Sequence, residues 1–546
     1  MIPLRKANCK RELEMPLGVT EVQKVESTFQ EKEEKEYEVP IEILEKYIAE
    51  YQESLYTQQK EVLKDIVQWY FEKDGNQTIA LIGCAGSGKS YTAQRIVGCI
   101  KKIRIEQLSK KTQVALAAPT HKAVAVLEEF SKEANLKADV ATIHSFLHTI
   151  PGKFDEKGRQ KLTENKNATR THLRKFDLGV VDECSMITPE LEAYVFASGT
   201  KVIWLGDDYQ LPYVSDDEEN LGEINLSPIF TNPEIKICKL TEVIRYAGNV
   251  AKYANYIRNN MGEKKLRNPR VGVNSNLSNL TPDEWEETFI SMLSENPKNV
   301  RAICYSNVAV RTLAKKARKS IYKDEEDYHI GEIISAKENV SIQEIQNERL
   351  KKINLMHSCE EGEIIELEKI VSKIPHSSKN TPQCEFWKIK IETSTSKFTI
   401  YTPTSESLKS VVRPYLKEKK QEILKEHSSK RGVLWAKYYE LLELMQLSQK
   451  GNTVIERIQY AGVLTIHQAQ GSGFEHVFVD ARSCYAAKNP YIYGRLLYTA
   501  ITRTKKHLYI NLNWGNNHFE NYKDDYKEEI PVEVDADYGV FFWEYD

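Results

Sequence analysis

One short segment constrains the fold more than any other part of the 546-residue chain. The run Gly83-Cys84-Ala85-Gly86-Ser87-Gly88-Lys89-Ser90 fits the pattern G-x-x-x-x-G-K-[ST], with an apolar strand pattern before it and a helix-like pattern after it. Glycines in such a turn let backbone N–H groups close around phosphates at a helix N-terminus. Lys89 would reach the β- and γ-phosphates, and the Ser90 hydroxyl would ligate Mg²⁺. The segment predicts a nucleotide site, in which we include Tyr91.

A second feature, Asp182-Glu183, closes the apolar strand pattern LGVV. A carboxylate at the carboxyl end of a strand beside a phosphate loop suits Mg²⁺ coordination, which we assign to Asp182. Glu183 would orient and deprotonate the attacking water. An apolar strand that ends in D-E is common by itself, but the upstream phosphate loop makes the functional interpretation the stronger one. The two motifs together predict a nucleoside triphosphatase.

Helical and strand patterns alternate from about residue 51 onward. Short apolar runs such as TIALIG (78–83) and KVIWLGD (201–207) are separated by amphipathic stretches, which is typical of a parallel sheet with crossover helices. A later set of such runs predicts a second α/β domain. Residues 336–403 have β texture and residues 404–448 are helical and basic, so we expect a small β domain with a helical extension inserted into the second domain.

Composition excludes several classes of protein. The chain is 41% hydrophobic and 10% aromatic with a net charge of −3, which argues against general disorder. It has no apolar run long enough for a membrane span, and its N-terminus lacks a signal-peptide pattern. Nine cysteines without a C-x-x-C pair favour reduced thiols. We therefore expect a cytoplasmic protein without a membrane partner.

The order of further motifs resembles that of superfamily 1 DNA helicases of the RecD/Dda group, over about residues 52 to 512. Eight elements carry the resemblance, in the order that the family has them: Leu55-Tyr56-Thr57-Gln58-Gln59, Ala118-Pro119-Thr120-His121-Lys122-Ala123, Thr142-Ile143-His144-Ser145-Phe146, Asp182-Glu183-Cys184-Ser185-Met186, Gly206-Asp207-Asp208-Tyr209-Gln210-Leu211-Pro212, Leu240-Thr241-Glu242-Val243-Ile244-Arg245, Thr465-Ile466-His467-Gln468-Ala469-Gln470-Gly471-Ser472 and Tyr498-Thr499-Ala500-Ile501-Thr502-Arg503. Their shared order makes coincidence negligible.

The resemblance implies a fold and a domain order. The fold is α/β, with two RecA-like P-loop NTPase domains, a wedge hairpin in the first, and an SH3-like β domain plus a helical extension inserted in the second. The expected segments are a charged N-terminal arm (1–50), the first RecA-like domain (51–233, with the hairpin insertion at 148–172), the second RecA-like domain (234–335 and 455–515), the inserted SH3-like and helical region (336–454) and an acidic C-terminal tail (516–546).

The resemblance also implies roles for individual residues. Gln59 would read the adenine edge and Gln210 would sense the γ-phosphate. Arg245 and Arg503 would act as two arginine fingers, which complete a catalytic set with Lys89 and Glu183. The residues implied to contact DNA are Pro119, Thr120, His121, Lys122, His144, Phe154, Asn307, Thr465 and His467.

Aromatic residues outside these motifs have competing interpretations. Phe154 is our candidate for the wedge that splits the duplex, and packing of the hairpin is an equally good interpretation of it. Trp435, Tyr438 and Tyr439 share one face of a predicted helix, and we interpret them as packing anchors rather than base platforms.

The resemblance implies an ATP-dependent DNA helicase that uses ATP and Mg²⁺ and moves 5′→3′ on single-stranded DNA, with single strands and single-strand/duplex junctions as partners. Two alternatives stay open: a single-strand translocase that remodels protein–DNA complexes, and an NTP-switched DNA-binding subunit of a larger assembly. The acidic termini would suit protein partners, although solvated tails are the commoner meaning. A nuclease is poorly supported, because Glu234-Ile235-Lys236 lacks an accompanying carboxylate.

Overall fold

The structure is a computed structural model. It describes residues 39–72, 75–154, 160–164, 172–213, 225–242, 248–263, 266–269, 271, 275–346, 349–375, 383–450, 453–487 and 489–512. Most of the predicted N-terminal arm and all of the predicted acidic tail (516–546) lie outside these residues. Within them, no helix combines the length and the apolar character needed to cross a membrane. The eight cysteines in this part of the chain are all free.

The first sheet has six parallel strands in the order β3-β2-β6-β7-β1-β8. The elements of this region are α1 (Ile41–Gln52), α2 (Thr57–Phe71), β1 (Thr78–Gly83), α3 (Lys89–Leu108), β2 (Val114–Ala118), α4 (His121–Glu133), β3 (Asp139–Thr142), α5 (Ile143–Phe146), β4 (Thr149–Phe154), β5 (Gln160–Glu164), β6 (Leu178–Val181), α6 (Pro189–Ser198), β7 (Val202–Gly206) and β8 (Lys236–Leu240). The central strands β1, β2, β6 and β7 are buried along their whole length, as expected for a parallel sheet covered on both faces.

Two predicted boundaries of the first domain need correction. The segment 1–50 is not an arm throughout, because α1 packs Leu44, Tyr47 and Ile48 into the core formed with α2 and α3. The boundary at 233/234 is also wrong by one strand, since β8 pairs in parallel with β1 and is therefore an edge strand of the first sheet. An edge strand carries no local signal of which sheet it joins, so the sequence pattern could not place it.

The predicted hairpin region contains two antiparallel strands, β4 and β5. They pair from Thr149 opposite Glu164 to Phe154 opposite Gln160, with an irregularity in register between Pro151 and Phe154. Residues 155–159, between the two strands, lie outside the described residues, as does the side chain of Phe154. Its assignment as a wedge stays a prediction.

The second sheet has five parallel strands, in the order β20 (Val463–Thr465), β10 (Val300–Cys304), β21 (Phe474–Val479), β22 (Thr504–Ile510) and β9 (Leu277–Asn279). Its elements before the inserted region are α7 (Asn249–Asn259), β9 (Leu277–Asn279), α8 (Pro282–Glu295), β10 (Val300–Cys304) and α9 (Asn307–Tyr322). Two buried clusters, one with α7 and one with α8 and α9, cover the sheet. The two parallel α/β sheets form the two RecA-like domains that the resemblance implies.

An antiparallel sheet, the third sheet, interrupts the second domain, with strand order β16-β15-β14-β11-β19. The elements of this region are β11 (Ile333–Ala336), β12 (Val340–Gln346), β13 (Arg349–Met356), β14 (Glu361–Lys373), β15 (Gln383–Glu392), β16 (Lys397–Pro403), α10 (Ser405–Ser407), a π-helical turn (Leu408–Val412), α11 (Arg413–Lys425), α12 (Ser428–Leu444), β17 (Leu447–Lys450), β18 (Thr453–Glu456) and β19 (Ile458–Tyr460).

The chain leaves and re-enters the second domain at one place. The first strand of this region, β11, pairs with its last strand, β19, through Ile334 opposite Tyr460 and Ala336 opposite Ile458. The second domain then continues with β20 (Val463–Thr465), β21 (Phe474–Val479), α13 (Ala481–Cys484), α14 (Pro490–Ile501) and β22 (Thr504–Ile510). The resemblance of the third sheet to an SH3-like domain stays a prediction.

Candidate nucleotide site and nucleic-acid groove

The phosphate loop joins β1 to α3 at the carboxyl edge of the first sheet. Gly86 and Gly88 have φ values of 78° and 81°, in the left-handed region that favours glycine. A Cβ on Gly83 would lie 2.6 Å from Ser87 Oγ and 2.9 Å from Leu240 O, so only glycine fits there. The glycines predicted from the sequence are therefore required by the conformation of the loop.

Lys89 is the first residue of α3, and its amine folds back over the loop. Lys89 Nζ donates to Gly83 O at 2.6 Å and to Cys84 O at 3.1 Å. These carbonyls hold the ammonium group within the loop, where phosphate oxygens would replace them as acceptors. Ser90 and Tyr91 are exposed next to it, and Tyr91 Oη lies 2.9 Å from Ser54 Oγ.

Asp182 and Glu183 follow β6, two strands from β1 in the same sheet. Glu183 N donates to Asp182 Oδ1 at 2.8 Å, and Glu183 has a φ of 54°. A positive φ at a residue other than glycine is uncommon and is typical of strained functional turns. Burial, and next the charge of Asp182, raise the pKa of Glu183 to about 7, while burial raises the pKa of Asp182. A carboxylate whose pKa lies near neutral pH suits a general base.

Gln210 lies between the two RecA-like domains. With its amide nitrogen facing Glu183, Gln210 donates to Glu183 Oε2 at 3.2 Å and accepts from Arg503 Nη2 at 3.2 Å. Arg503 follows α14 of the second domain and is 5% exposed. The structure thus brings together three residues that the sequence predicts to act together.

The loop after β7 is held by one face of α14, which the sequence did not predict. Arg495 Nη1 donates to Asp208 O at 2.8 Å and to Gln210 O at 2.6 Å. Thr499 Oγ1 accepts from Leu211 N at 3.2 Å. Arg495 and Thr499 are four residues apart and so share a helix face. The only local signal was the motif that contains Thr499, because contacts across nearly three hundred residues leave no pattern in the sequence.

Gln59 lies beside the phosphate loop but is engaged with backbone groups. It is 3% exposed, its Nε2 donates to Ser87 O at 3.3 Å, and its Oε1 accepts from Tyr56 N at 3.2 Å. These contacts fix the entry of α2 against the phosphate loop. Its predicted reading of the adenine edge stays a prediction.

The chemistry of Ser90 and Asp182 fits Mg²⁺. Magnesium is commonly held by one or two protein oxygens together with phosphates and water. Asp182 Oδ1 takes the Glu183 N–H, which leaves Oδ2 for a cation. Within the described residues there is no group of three or more His, Cys, Asp or Glu side chains that could hold a metal by itself.

Two residues that are predicted to contact DNA have local structural roles. Thr120 caps α4, with its hydroxyl accepting from Ala123 N at 3.3 Å. Thr465 is 3% exposed, and its hydroxyl accepts from Gln468 N at 3.2 Å. In both cases the side chain orders the turn that follows a strand of one sheet.

His121 and Lys122, which are predicted to contact DNA, contact other parts of the chain. The His121 ring stacks on that of His357, with centroids 4.2 Å apart, and Lys122 Nζ lies 5.1 Å from the centre of the Phe474 ring. Burial, and next the charge of His357, lower the pKa of His121 to about 4. Burial also lowers the pKa of His144, and it lowers that of His467 to about 4. These histidines are neutral at physiological pH.

The remaining predicted residues have mixed outcomes. Asn307 is exposed at the start of α9, and Pro119 is half-buried after β2. Arg245 lies outside the described residues, so its role stays a prediction. Trp435 and Tyr438 are 1% and 4% exposed in the core of the inserted helices, which confirms that they are packing anchors.

Known families match two parts of the chain. A model described as an AAA domain matches residues 70–216, and one described as a UvrD-like helicase C-terminal domain matches residues 460–511. Uncharacterized protein R530 of Acanthamoeba polyphaga mimivirus is 23% identical over 506 residues, which cover 80% of this chain and 96% of that protein. The ATP-dependent DNA helicase dda of Enterobacteria phage T4 is 27% identical over 276 residues, which cover 49% of this chain and 57% of that protein.

A solved structure also resembles this chain. The Pif1 helicase from Bacteroides in complex with ADP-AlF3 and single-stranded DNA shares 16% identity, with 87% of this chain and 98% of that chain covered, at a TM-score of 0.41. That overlap is too loose to carry a functional argument.

The fold and the site define a P-loop nucleoside triphosphatase with two RecA-like domains. The two family matches fall on these domains, one over the phosphate loop and one over β20 to β22. The resemblance to superfamily 1 helicases of the RecD/Dda group, predicted from the motifs, is thereby confirmed.

Proposed function

We propose that this chain is an ATP-dependent DNA helicase that moves 5′→3′ on single-stranded DNA. One observation carries the proposal: Gln210 of the first domain bridges Glu183 to Arg503 of the second, at 3.2 Å on each side. Hydrolysis at Glu183 would therefore depend on closure of the two domains. The direction of movement rests on the motif resemblance alone.

The chemistry follows from the charges around the cleft. Ser90 and Asp182 would hold Mg²⁺, which would supply positive charge beside the phosphates. Lys89 would exchange the carbonyls of Gly83 and Cys84 for phosphate oxygens, and Glu183 would take a proton from the attacking water. Arg503 would stabilise the charge that develops on the γ-phosphate, and Arg245 would supply a second cation.

A segment of the second domain offers a route from the cleft to the strand. Residues 465–472 begin at the predicted DNA contacts Thr465 and His467 and end beside the nucleotide site. Arg503 Nη1 donates to Ser472 O at 3.4 Å, and a Cβ on Gly471 would lie 3.8 Å from Glu183 Oε1. A change at the γ-phosphate would therefore shift groups that touch the strand.

The proposed groove lies across both domains. Thr120, His121, Lys122 and His144 would line it on the first domain, together with Pro119, while Asn307, Thr465 and His467 would line it on the second. Stacked bases and backbone phosphates are the groups that such surfaces bind. The hairpin of β4 and β5 would meet the duplex at a junction, with Phe154 as the wedge.

Strand displacement tests the proposal. One duplex would carry either a 5′ or a 3′ single-stranded tail, and release would be measured with ATP and Mg²⁺. We expect release from the 5′-tailed duplex only, and none with Lys89→Ala, which removes the phosphate-binding amine. Release from the 3′ tail alone would overturn the polarity. No release from either, with ATP hydrolysis still stimulated by single strands, would favour a translocase that remodels protein–DNA complexes.

A further inference from the structure

Asp207, which follows β7, is a buried carboxylate without an assigned role in hydrolysis. It is 1% exposed, and both of its oxygens accept hydrogen bonds. Its Oδ1 accepts from Tyr209 N at 3.0 Å, and its Oδ2 accepts from Ala85 N at 3.1 Å. Ala85 belongs to the phosphate loop. The carboxylate therefore fixes the first turn of that loop against the loop that carries Gln210.

A third donor to Asp207 comes from the second domain. Tyr498 Oη donates to Asp207 Oδ2 at 2.7 Å, and the same hydroxyl accepts from Ala85 N at 3.3 Å. Tyr498 is 1% exposed on α14. Burial, and next the charge of Asp207, raise the pKa of Tyr498, so its hydroxyl keeps its proton and remains a donor.

The remaining contacts of α14 show that this hydroxyl is part of a continuous surface. Arg495 and Thr499, three residues before and one after Tyr498, hold the backbone of the same loop. A small rotation of α14 would therefore move the loop of residues 207–211 and the phosphate loop together. The contacts of Arg495 and Thr499 to the loop backbone would, by themselves, move only the loop of residues 207–211.

We propose that Tyr498 is a positioning residue for the phosphate loop, which it holds through Asp207 and through its own hydrogen bond from Ala85 N, so that the second domain sets the geometry of nucleotide binding. This coupling of nucleotide binding to domain movement rests on the proposed helicase function. Its geometry needs only the described residues. A buried carboxylate that loses one of its donors is poorly solvated, so removal of a single oxygen atom has a large effect.

Tyr498→Phe removes that oxygen and keeps the ring. We expect the KM for ATP to rise about tenfold while kcat changes by less than about threefold, because the substitution disturbs binding rather than the hydrolytic groups. Tyr493→Phe is the matched control on the same helix, since the Tyr493 ring stacks on Tyr485 at 4.5 Å and lies away from the phosphate loop. We expect the control to leave KM unchanged.

A double-mutant cycle tests whether Tyr498 acts through Asp207. If it does, adding Tyr498→Phe to Asp207→Asn raises KM by a smaller factor than Tyr498→Phe raises it in the original chain. Additive effects on KM, or a Tyr498→Phe variant with KM within about twofold of the original chain, would overturn the proposal. A lower melting temperature with unchanged KM would likewise reduce Tyr498 to a packing residue.

The measurements are made both without and with single-stranded DNA, which separates the two proposals. The shift in KM without DNA tests Tyr498 alone. An original chain that hydrolyses ATP but never displaces a strand would contradict the helicase function and leave the result for Tyr498 standing.

Discussion

The two RecA-like domains place an aspartate at the same point of their parallel sheets but surround it differently. In the first domain β6 ends in Val180-Val181 and Asp182 follows, and in the second domain β21 ends in Phe478-Val479 and Asp480 follows. Asp480 is 2% exposed, accepts from Asn511 Nδ2 at 2.8 Å, and lies 3.5 Å from Arg482 Nε. Within the part of the chain that the structure describes, Asp182 accepts one hydrogen bond, from Glu183 N to its Oδ1, and lies near Lys89.

The difference shows that position in a fold does not define a catalytic group. A carboxylate that is neutralised by fixed neighbours stabilises its own domain, whereas one with a free oxygen beside a phosphate loop is available to a cation. In the first domain the phosphate loop of residues 83–88 follows β1 and Asp182 follows β6 in the same parallel sheet, and the charge of Lys89 acts on Asp182.

The largest expected effect on ATP turnover comes from replacing Glu183, the proposed base next to Asp182. Glu183→Gln keeps the shape of the side chain and removes its basicity, so turnover should fall by about a thousandfold. Nucleotide binding should persist, because Lys89 and the phosphate loop are untouched. Binding of a fluorescent nucleotide and the rate of ATP hydrolysis, measured on the same preparation, check the retained binding and the lost turnover. Normal hydrolysis by this variant would show that Glu183 is not the base.

A matched pair of substitutions tests the comparison directly. Asp182→Asn should lower Mg²⁺-dependent hydrolysis by about a hundredfold, because a neutral amide is a weak ligand for magnesium. Asp480→Asn should leave hydrolysis within about twofold and reduce the free energy of unfolding by about 1–2 kcal/mol, through loss of a charge-assisted hydrogen bond. Urea unfolding and a magnesium titration of hydrolysis provide the readouts. Equal losses of hydrolysis in both variants would remove the distinction.

A smaller effect is expected from pH. Because the pKa of Glu183 is raised to about 7, the base is protonated below that value and ionised above it. The kcat/KM for ATP at fixed Mg²⁺ should rise by about tenfold per unit as pH increases towards 7 and then level off. The Glu183→Gln variant lacks this carboxylate, so its kcat/KM should show no such rise with pH. A kcat/KM that stays constant between pH 5.5 and 8 in the original chain would contradict the raised pKa of Glu183.

The sequence predicted the groups at the strand ends because their chemistry is local. A glycine turn and a carboxylate pair after a strand each carry their own signal. The roles of Gln210 and Arg503 are implied by the motif resemblance, and the structure places Gln210 within hydrogen-bonding distance of both Glu183 and Arg503. Contacts that depend on the pairing of distant segments were missed. Asp207 and Tyr498 are 291 residues apart, and no periodicity indicates that they meet.

Cap residues explain a second gap between sequence and structure. A threonine after a strand is suited both to capping a helix and to contacting a phosphate, so the motif around Thr120 could not separate these roles. The same holds for Thr465. The edge strand β8 was assigned to the wrong domain because its partner β1 lies more than 150 residues upstream, as the paired Ile79 and Lys236 show.

The smallest expected effect comes from replacing Thr120, and it separates the capping of α4 from a contact with DNA. Thr120→Ala removes the cap and should reduce the free energy of unfolding by about 1 kcal/mol. Thr120→Ser retains the hydroxyl and serves as the control for stability. If the hydroxyl also contacts the strand, Thr120→Ala should weaken single-stranded DNA binding more than the matched change in stability accounts for. Equal DNA affinity in both variants would leave Thr120 as a cap only.

The pairing of β11 with β19 has a consequence for how such a chain can change over evolutionary time. Neighbouring strands lie about 4.8 Å apart, so the two ends of the segment 337–457 emerge side by side. A gap of that width can be closed by a turn of a few residues. One genetic insertion or deletion at this point could therefore add, remove or exchange the whole segment, and the parallel sheet beneath it would keep its strand order.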